Sequence, residues 1–396
     1  MSVYDVIVGQ DHAVSELAHA SGDAHNVSHA LNAPAMTHAW LITGPPGSGR
    51  STLALAFAAA LVCPEGGCGT CSSCRSVVAG THSDVEHVVP EGVNYKMEDA
   101  VALIERSTLA PTRSAWHIFV IEDVDRFRVD AASTLLKSLE EPPPGTVWIL
   151  CAPTVDDVFD TIRSRCRHVL LNTPSRDDVK NQLLQHYGIE SATADWAARV
   201  SQGHIGRARA LAMDEAARLR RKEIVDMPFR LHNVAMSFEL ANRIVTNATE
   251  DAQAIATPLD EQDEANIRIA FGDGAQGKGL RGVDRQMKSA LKDLEKRAKT
   301  RLRRILSDQY DRVLLDLTGV YRDVLVVQSG SNVELINEEV RNHIVELADR
   351  SNESATLRRI SAITEARDQL VANVPPQTVF ESLLVVLFDD QLATIV

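Results

Sequence analysis

The stretch Gly44-Pro45-Pro46-Gly47-Ser48-Gly49-Arg50-Ser51 fits the phosphate-loop pattern at every fixed position except one, because Arg50 stands where the pattern has lysine. In such a loop, glycines let backbone N–H groups converge on phosphate oxygens at a helix N-terminus, and the last hydroxyl is a Mg²⁺ ligand. The predicted nucleotide-site residues here are Gly44, Gly47, Gly49, Arg50 and Ser51. Arginine is larger than lysine and planar, so we expect weak hydrolysis or none, and whether ATP with Mg²⁺ binds stays open. The alternative is a glycine turn that binds no nucleotide.

Short apolar runs and helical patterns alternate around this loop. The patterns predict strands at 38–43, 84–89, 117–121, 147–151 and 168–171, and helices at 49–62, 97–107, 130–139 and 156–162. Such alternation predicts a mostly parallel sheet with helices on both faces. We therefore expect residues 1–172 to form one α/β domain that resembles a nucleotide-binding module.

The predicted strand 117–121 runs into two carboxylates, Glu122 and Asp123. An apolar strand that ends in paired carboxylates is typical of an ATPase, which uses them to bind Mg²⁺ and to activate water. The usual order is Asp then Glu, so each carboxylate here is displaced by about one methylene group. Positional errors of ~1 Å can lower a rate ~10²-fold. The alternative is an acidic strand end that faces solvent.

Four of the six cysteines lie close together after the first helix of the predicted sheet domain, at Cys63, Cys68, Cys71 and Cys74. Four thiolates on a glycine-rich loop suit a closed structural Zn²⁺ site, because no coordination position is left for water. A redox role for Cys71 and Cys74 is the alternative. The other two cysteines, at positions 151 and 166, are expected to be small buried apolar residues.

Strand signals stop at Thr173. Short helical patterns follow over 173–220, and longer amphipathic patterns extend over 221–396. The segment 257–282 combines an acidic run with five glycines between Gly272 and Gly282, which predicts a flexible loop. The sequence therefore predicts a sheet domain followed by a small helical domain and a larger all-helical domain.

Composition and charge exclude several classes of protein. The chain has 41 basic and 54 acidic residues, a net charge of −13, so a surface that binds nucleic acid all over is excluded. The apolar run 53–63 is too short to span a bilayer, which needs ~20 residues. The first residues lack the pattern of a signal peptide. We expect a cytoplasmic protein with no membrane contact.

One segment reverses this charge balance. Between Arg285 and Arg304 there are nine basic and two acidic residues. Six of the basic residues recur every three or four positions and share one helical face, and apolar residues at the same spacing share another. The favoured interpretation is a packed helix with a solvated charged back. The alternative is a contact with the DNA backbone, without base stacking because no aromatic residue interrupts the segment.

Taken together, these motifs resemble the AAA+ clamp-loader subunits of bacterial DNA polymerase III. The motifs that carry the resemblance are Val6-Ile7-Val8-Gly9-Gln10, the phosphate loop, the four-cysteine insertion, Leu135-Leu136-Lys137-Ser138-Leu139-Glu140-Glu141-Pro142-Pro143 and Ser164-Arg165-Cys166. They span about residues 5 to 210, and the helical region after 220 matches only in general character. The resemblance implies an AAA+ module, a helical lid over 173–220 and a helical collar for oligomerisation over 221–396.

The resemblance also implies roles for three residues. Arg165 would supply an arginine finger to ATP bound by a neighbouring subunit, and the alternative is an ordinary surface arginine. Arg207, in Gly203-His204-Ile205-Gly206-Arg207-Ala208, would be a second sensor of phosphate. Pro153 stands where active members carry a polar sensor residue.

The implied function is that of a clamp-loader subunit in DNA replication. Such a chain would not be an enzyme in isolation but a component of the DNA polymerase III holoenzyme and of its clamp-loading ATPase. Its partners would be other loader subunits in a hetero-oligomer, expected to be pentameric, together with the sliding clamp and primed DNA. The alternative is a self-sufficient AAA+ motor, either a gamma/tau-type subunit or a helicase-like ATPase, and Arg50 argues against it.

Overall fold

The computed structural model describes residues 2–26, 35–90, 94–270 and 280–388. The chain forms two compact units, Met1–Met213 and Asp214–Val396. Each unit has hydrophobic core clusters of its own. The unit boundary therefore lies between the two domain ends predicted at 172 and 220, because the helices that follow residue 173 pack within the first unit.

The first unit is built on a five-stranded parallel sheet, as predicted. Its strands are β1 (Ala39–Thr43), β2 (Val85–Val88), β3 (His117–Ile121), β4 (Thr146–Ala152) and β5 (Arg167–Leu170). Their order is β2-β3-β4-β1-β5, and every adjacent pair is parallel. Because β1 lies between β4 and β5, the segments that follow these three strands meet at one edge of the sheet.

Helices cover both faces of this sheet. They are α1 (Asp11–Asn26), α2 (Arg50–Val62), α3 (Ser72–Val78), α4 (Met97–Ser107), α5 (Val129–Glu140) and α6 (Asp160–Arg163). Alternate residues of β1 enter different cores. Trp40 packs with Phe57 of α2 at a ring-centroid distance of 5.1 Å, whereas Leu41 belongs to the cluster that contains Leu135 of α5. Burial on both faces explains why the three central strands, β3, β4 and β1, are mostly apolar, whereas the edge strands β2 and β5 carry polar residues.

Three further helices complete the first unit: α7 (Arg176–Tyr187), α8 (Ser191–Ser201) and α9 (Ile205–Met213). A capping box begins α7, because the Asp178 N–H donates to the Ser175 hydroxyl at 3.1 Å and the Ser175 N–H donates to the Asp178 carboxylate at 3.2 Å. Gln182 of α7 donates from Nε2 to the Val6 carbonyl at 3.2 Å. This contact ties the helices to the start of the chain.

The second unit is helical in its described residues. Its helices are α10 (Glu215–Arg230), α11 (Val234–Ala270), α12 (Leu280–Gln328), α13 (Arg341–Arg350), α14 (Glu353–Val371) and α15 (Pro376–Phe388). Tyr310 of α12 and Phe380 of α15 lie in its main core cluster, with ring centroids 5.5 Å apart. No described helix of the chain is long and apolar enough to cross a membrane.

The loop predicted over 257–282 is wrong throughout its described part. Residues 257–270 form the end of α11, and residues 280–282 begin α12, whereas 271–279 lie outside the described residues. The acidic residues that suggested a loop find a partner in the neighbouring helix. Arg301 of α12 donates to Asp260 at 2.9 Å and also contacts Asp263. Alanine and glutamate in this stretch favour a helix once these ion pairs are available.

Candidate functional site

The predicted phosphate loop, residues 44–49, connects β1 to α2 at the edge of the sheet where the strands end. Gly47 and Gly49 have positive φ angles of 82° and 93°, which residues with a side chain adopt only with strain. A Cβ atom on Gly44 would lie 2.7 Å from the Cβ atom of Leu171, the residue after β5. Each of the three glycines is therefore required by the local geometry.

Arg50, the residue at the lysine position, turns back onto the loop. It is the first residue of α2, and its Nη1 donates to the carbonyl oxygen of Gly44. In the phosphate-loop pattern, the cation at this position reaches the β- and γ-phosphates. Here the charge-assisted hydrogen bond holds the guanidinium on the protein backbone. Ser51 follows in the first turn of α2 and is half-buried.

His204 lies against the same loop. The Ile205 N–H donates to the Gly47 carbonyl at 3.3 Å, which brings the start of α9 onto the loop. A Cβ atom on Gly47 would lie 2.2 Å from Cγ of the His204 imidazole, so only glycine leaves room for this ring. Arg207, the predicted second sensor, donates from its N–H to His204 Nδ1 at 3.2 Å. The structure thus brings Arg207 and the loop into one neighbourhood, with His204 between them.

Glu122 and Asp123 follow β3, and each carboxylate contacts a neighbouring basic side chain. Oε1 of Glu122 is 2.6 Å from Nε2 of His87, a residue of β2. Asp123 has a φ angle of 50°, a left-handed conformation that aspartate tolerates better than most residues. Its Oδ2 lies 3.6 Å from Nε of Arg126. A metal ion at Glu122 would have to compete with His87 for the carboxylate.

Cys151 lies in β4 near these charged groups. Burial raises the pKa of its thiol well above the usual range, Glu122 adds to the rise, and Arg50 opposes it. Burial also raises the pKa of Asp125, and Asp123 adds to that effect. Cys166 is half-buried, and burial raises the pKa of its thiol to about 12. Cys151 is therefore buried as predicted, and Cys166 is partly so.

Pro153 follows β4, at the predicted sensor position. Its carbonyl oxygen accepts a hydrogen bond from the Gly44 N–H at 3.1 Å. The proline side chain has no donor or acceptor. The next residue, Thr154, donates from its hydroxyl to Asp157 at 2.7 Å. Pro153 thus supports the backbone of the phosphate loop and supplies no polar side chain to it.

The four clustered cysteines converge on one point. Their Sγ atoms all lie within 4.8 Å of one another, and Sγ of Cys63 is 3.7 Å from those of Cys68 and Cys71. Four sulfurs around a tetrahedral Zn²⁺, at a Zn–S distance of ~2.3 Å, would lie ~3.8 Å apart. Cys63 ends α2 and Cys74 lies in α3, so helices position both ends of the set. These residues can hold one metal ion.

Backbone donors surround the sulfurs. The N–H groups of Cys68, Cys71 and Cys74 donate to the Sγ atoms of Cys63, Cys68 and Cys71 at 3.5, 3.4 and 3.4 Å, respectively. Bonds from Thr70, together with the N–H of Cys71, lower the pKa of Cys68 to about 6. Donors of this kind stabilise thiolates and orient them as metal ligands.

Arg165 follows α6 and packs against the end of α5. Its Nε donates to Oε1 of Glu140 at 2.7 Å, and its Nη1 donates to the Thr161 carbonyl at 2.7 Å. The side chain remains 33% exposed. The nearby Arg163 pairs instead with Asp160 at 2.8 Å and with Asp156 at 3.5 Å. Arg165 is therefore at the surface, in a defined orientation.

Sequence reasoning missed three partners of the predicted residues: His87, Glu140 and His204. Glu140 and His204 lie inside motifs that the sequence does show, so a signal was available for both. His87 gave no signal, because its pairing with Glu122 depends on β2 lying beside β3 in the sheet.

Several known proteins are similar to this chain in sequence or in structure. A family model described as DNA polymerase III, delta subunit, matches residues 23–175. Subunit delta' of DNA polymerase III from Bacillus subtilis is 27% identical over 355 residues, which cover 89% of this chain and 91% of that protein. Subunit gamma of DNA polymerase III from Buchnera aphidicola subsp. Schizaphis graminum is 30% identical over 161 residues, which cover 40% of this chain and 44% of that protein. The solved structure of a gamma subunit-related protein from Thermotoga maritima is 16% identical, with a TM-score of 0.38, and the match covers 88% of this chain and 93% of that one.

Proposed function

We propose that this chain is a clamp-loader subunit of bacterial DNA polymerase III, as its motifs predict, and that it acts in DNA replication without itself hydrolysing ATP. The observation that carries the proposal is a contrast within the first unit. Arg50 and His204 close the phosphate loop, whereas Arg165 stays at the surface. A self-sufficient motor, the alternative, would need a lysine at position 50 and an open loop.

The residues that would bind Mg²⁺ and ATP already contact other residues of the first unit. The loop itself suits a phosphate, because it leads into the N-terminus of α2. However, Arg50 donates to Gly44, His204 packs on Gly47, and His87 holds Glu122. Each contact would have to break before the corresponding group could act, and that cost lowers the affinity for nucleotide and the rate of its hydrolysis. The residues present therefore fit nucleotide hydrolysis poorly.

Arg165 acts, in this proposal, on ATP bound by a neighbouring subunit. A guanidinium supplied in trans stabilises charge on the transferring phosphoryl group and is worth about 10³- to 10⁵-fold in rate. Within the chain, Glu140 and the Thr161 carbonyl hold the side chain in a defined orientation. Exposed ion pairs are weak, so a triphosphate can replace Glu140 as the partner of Arg165 at little cost.

We assign one structural Zn²⁺ to Cys63, Cys68, Cys71 and Cys74. The S···S distances suit a tetrahedral ion, and four protein ligands leave no position for water or substrate. The ion would tie the end of α2 to α3 and supply no reaction chemistry.

The partners in this proposal are other clamp-loader subunits, in a hetero-oligomer that we expect to contain five chains, with the sliding clamp and primed DNA. Helices α7 to α9 serve as the lid, and the all-helical second unit serves as the collar that joins subunits. This role places the protein in the cytoplasm.

The test is a reconstituted loader that carries Arg165→Ala in this chain. We expect the adjacent partner site to lose about 10³-fold in single-turnover ATP hydrolysis, and clamp loading on primed DNA to fall with it. Arg165→Lys should fail as well, because lysine loses the forked donor geometry. The matched control is Arg163→Ala, which removes a nearby arginine that pairs only locally with Asp156 and Asp160.

Two results would contradict the proposal. If a loader with Arg165→Ala hydrolyses ATP and loads clamps at the unmodified rate, Arg165 does not act on the ATP of a neighbouring subunit. ATP turnover by the isolated chain that disappears in Ser51→Ala would show that the chain is a motor.

A further inference from the structure

The guanidinium group of Arg165 makes hydrogen bonds to its own chain with all three of its nitrogens. Its Nε donates to Oε1 of Glu140 at 2.7 Å, and its Nη2 donates to the same oxygen. Its Nη1 donates to the Thr161 carbonyl at 2.7 Å and to the Ser164 hydroxyl at 3.2 Å. The side chain is nevertheless 33% exposed, so these contacts lie at the surface of the first unit.

The backbones of Glu140 and Arg165 are anchored to the same hydrophobic core. Glu140 is the last residue of α5 and follows the fully buried Leu139. Arg165 lies just after α6, which contains the fully buried Ile162. Leu139 and Ile162 belong to one core cluster. Packing therefore holds the two residues close together, and their ion pair forms in the folded chain without a neighbouring subunit.

These contacts use the same donors that an arginine finger turns toward the phosphate of another subunit. A guanidinium has five N–H donors, and Glu140, Thr161 and Ser164 accept four hydrogen bonds from them. Glu140 takes the edge formed by Nε and Nη2, and such an edge can also bind a phosphate through two parallel hydrogen bonds. The Glu140 carboxylate and a phosphate therefore compete for Arg165.

We propose that Glu140 is a positioning residue that restrains Arg165 until ATP bound by a neighbouring subunit displaces the carboxylate. This inference rests on the proposed trans role of Arg165 and adds the regulation of that role. A triphosphate carries more negative charge than one carboxylate, and an exposed ion pair is weak, so the exchange of partners is favourable once the subunits are in place. Glu140 therefore slows ATP hydrolysis before the loader is fully assembled and has little effect afterwards.

The test compares Glu140→Gln with Glu141→Gln in a reconstituted loader, by single-turnover ATP hydrolysis. Glutamine keeps the size of the side chain and an acceptor oxygen but removes the charge. Before the clamp and primed DNA are added, we expect Glu140→Gln to raise the rate about two- to fivefold, the range over which exposed ion pairs act. With clamp and primed DNA present, the rate should equal that of the unmodified loader. Glu141 is the adjacent exposed carboxylate, and its replacement should change neither rate.

Two further measurements separate this role from a merely structural one. In the isolated full-length chain, labelled with isotopic arginine for nuclear magnetic resonance, the Nε–H proton of Arg165 should exchange with solvent faster in Glu140→Gln than in Glu141→Gln. The Arg165→Ala spectrum assigns that signal. In a loader that carries Arg165→Ala, adding Glu140→Gln should change nothing, because Glu140 acts only through Arg165.

Each other outcome overturns the proposal. A lower basal rate in Glu140→Gln would mean that Glu140 aligns Arg165 for the reaction, and an unchanged rate would mean that the ion pair controls nothing. Equal increases in the Glu140 and Glu141 variants would identify net charge as the cause. If Arg165→Ala impairs the loader but Glu140→Gln does not alter it, only this inference fails. If Arg165→Ala has no effect either, the trans role fails with it.

Discussion

The phosphate loop and α9 meet at Gly47. Its φ angle is +82°, its carbonyl accepts the Ile205 N–H, and the His204 imidazole occupies the space where a side chain would be. Arg50 closes the loop from the other side through the Gly44 carbonyl. The conformation of the loop thus depends on the side chains of His204 and Arg50, and on Gly47 having no side chain.

We expect Gly47→Ala to lower the free energy of unfolding of the first unit by about 2–4 kcal/mol. The left-handed backbone costs an alanine about 1–2 kcal/mol, and the collision with His204 adds to that cost. In a His204→Ala background the same change should cost less, since only the backbone term remains. Urea unfolding followed by fluorescence measures both values.

The matched control for Gly47 is Gly22→Ala in α1. A Cβ atom there meets nothing within 4 Å, so alanine should stabilise the helix by about 0.5–1 kcal/mol. A Gly47→Ala protein as stable as the Gly22→Ala protein would show that His204 does not pack on the loop.

At the scale of elements, the position of β2 brings His87 next to the Glu122 carboxylate that follows β3. Asp84 lies just before β2, and its carboxylate accepts hydrogen bonds from the N–H groups of Thr112, Arg113 and Ser114 at 2.8, 2.7 and 2.7 Å. These bonds attach β2 to the segment that leads into β3. His87, in the same strand, can then reach Glu122.

Asp84→Asn should cost about 3 kcal/mol at pH 7, because a buried amide cannot accept all of these bonds. Burial alone would raise the pKa of Asp84, but the hydrogen bonds from Thr112, Arg113 and Ser114 lower it well below its usual range. The folded pKa is thus below the unfolded one, so the stabilisation is complete above pH ~4 and is lost as the pH falls further. The difference between the two proteins should therefore shrink below pH ~4 in denaturant titrations.

Asp156→Asn is the control for this change of charge. Asp156 is exposed and contacts Arg163 only at 3.5 Å, so its replacement should change stability by less than about 0.5 kcal/mol at any pH. A constant difference between Asp84→Asn and the unmodified protein from pH 7 to pH 3 would contradict the role given to the Asp84 charge.

At the scale of the whole molecule, two units with separate cores carry different spectroscopic probes. All four tryptophans, Trp40, Trp116, Trp148 and Trp196, lie in the first unit, whereas the second unit contributes helices and tyrosines. Units with separate cores can unfold in separate transitions. Tryptophan fluorescence therefore reports on the unit that contains the four-cysteine cluster.

We expect one Zn²⁺ per chain, and its removal by a chelator or by Cys71→Ser should lower the fluorescence-detected midpoint by about 5–10 °C. The helical transition of the second unit, followed by circular dichroism, should not move. Cys166→Ser, outside the cluster, is the control and should retain the metal. Protein prepared under reducing conditions that contains no zinc by elemental analysis would contradict the assignment.

Local patterns in the sequence determined the elements and their chemistry. Alternating apolar runs predicted a parallel sheet around Gly44–Ser51, and the spacing of four cysteines predicted a cluster that the structure brings together. Both signals are local, because backbone periodicity and loop chemistry depend on neighbouring residues. The acidic segment after Thr257 was wrongly predicted to be a loop because local patterns do not show distant partners. Its helix is supported by Arg301, a residue more than 35 positions away.

Only the tertiary structure decided what each predicted residue contacts. Glu122 contacts His87 because β2 lies beside β3. Gly47 contacts His204 because α9 packs onto the loop. Arg165 contacts Glu140 because α6 packs against α5. These pairs join residues that are far apart in the chain, and no local periodicity specifies them. The sequence determined which groups are available, whereas strand order and helix packing determined which of them are already occupied by the protein itself.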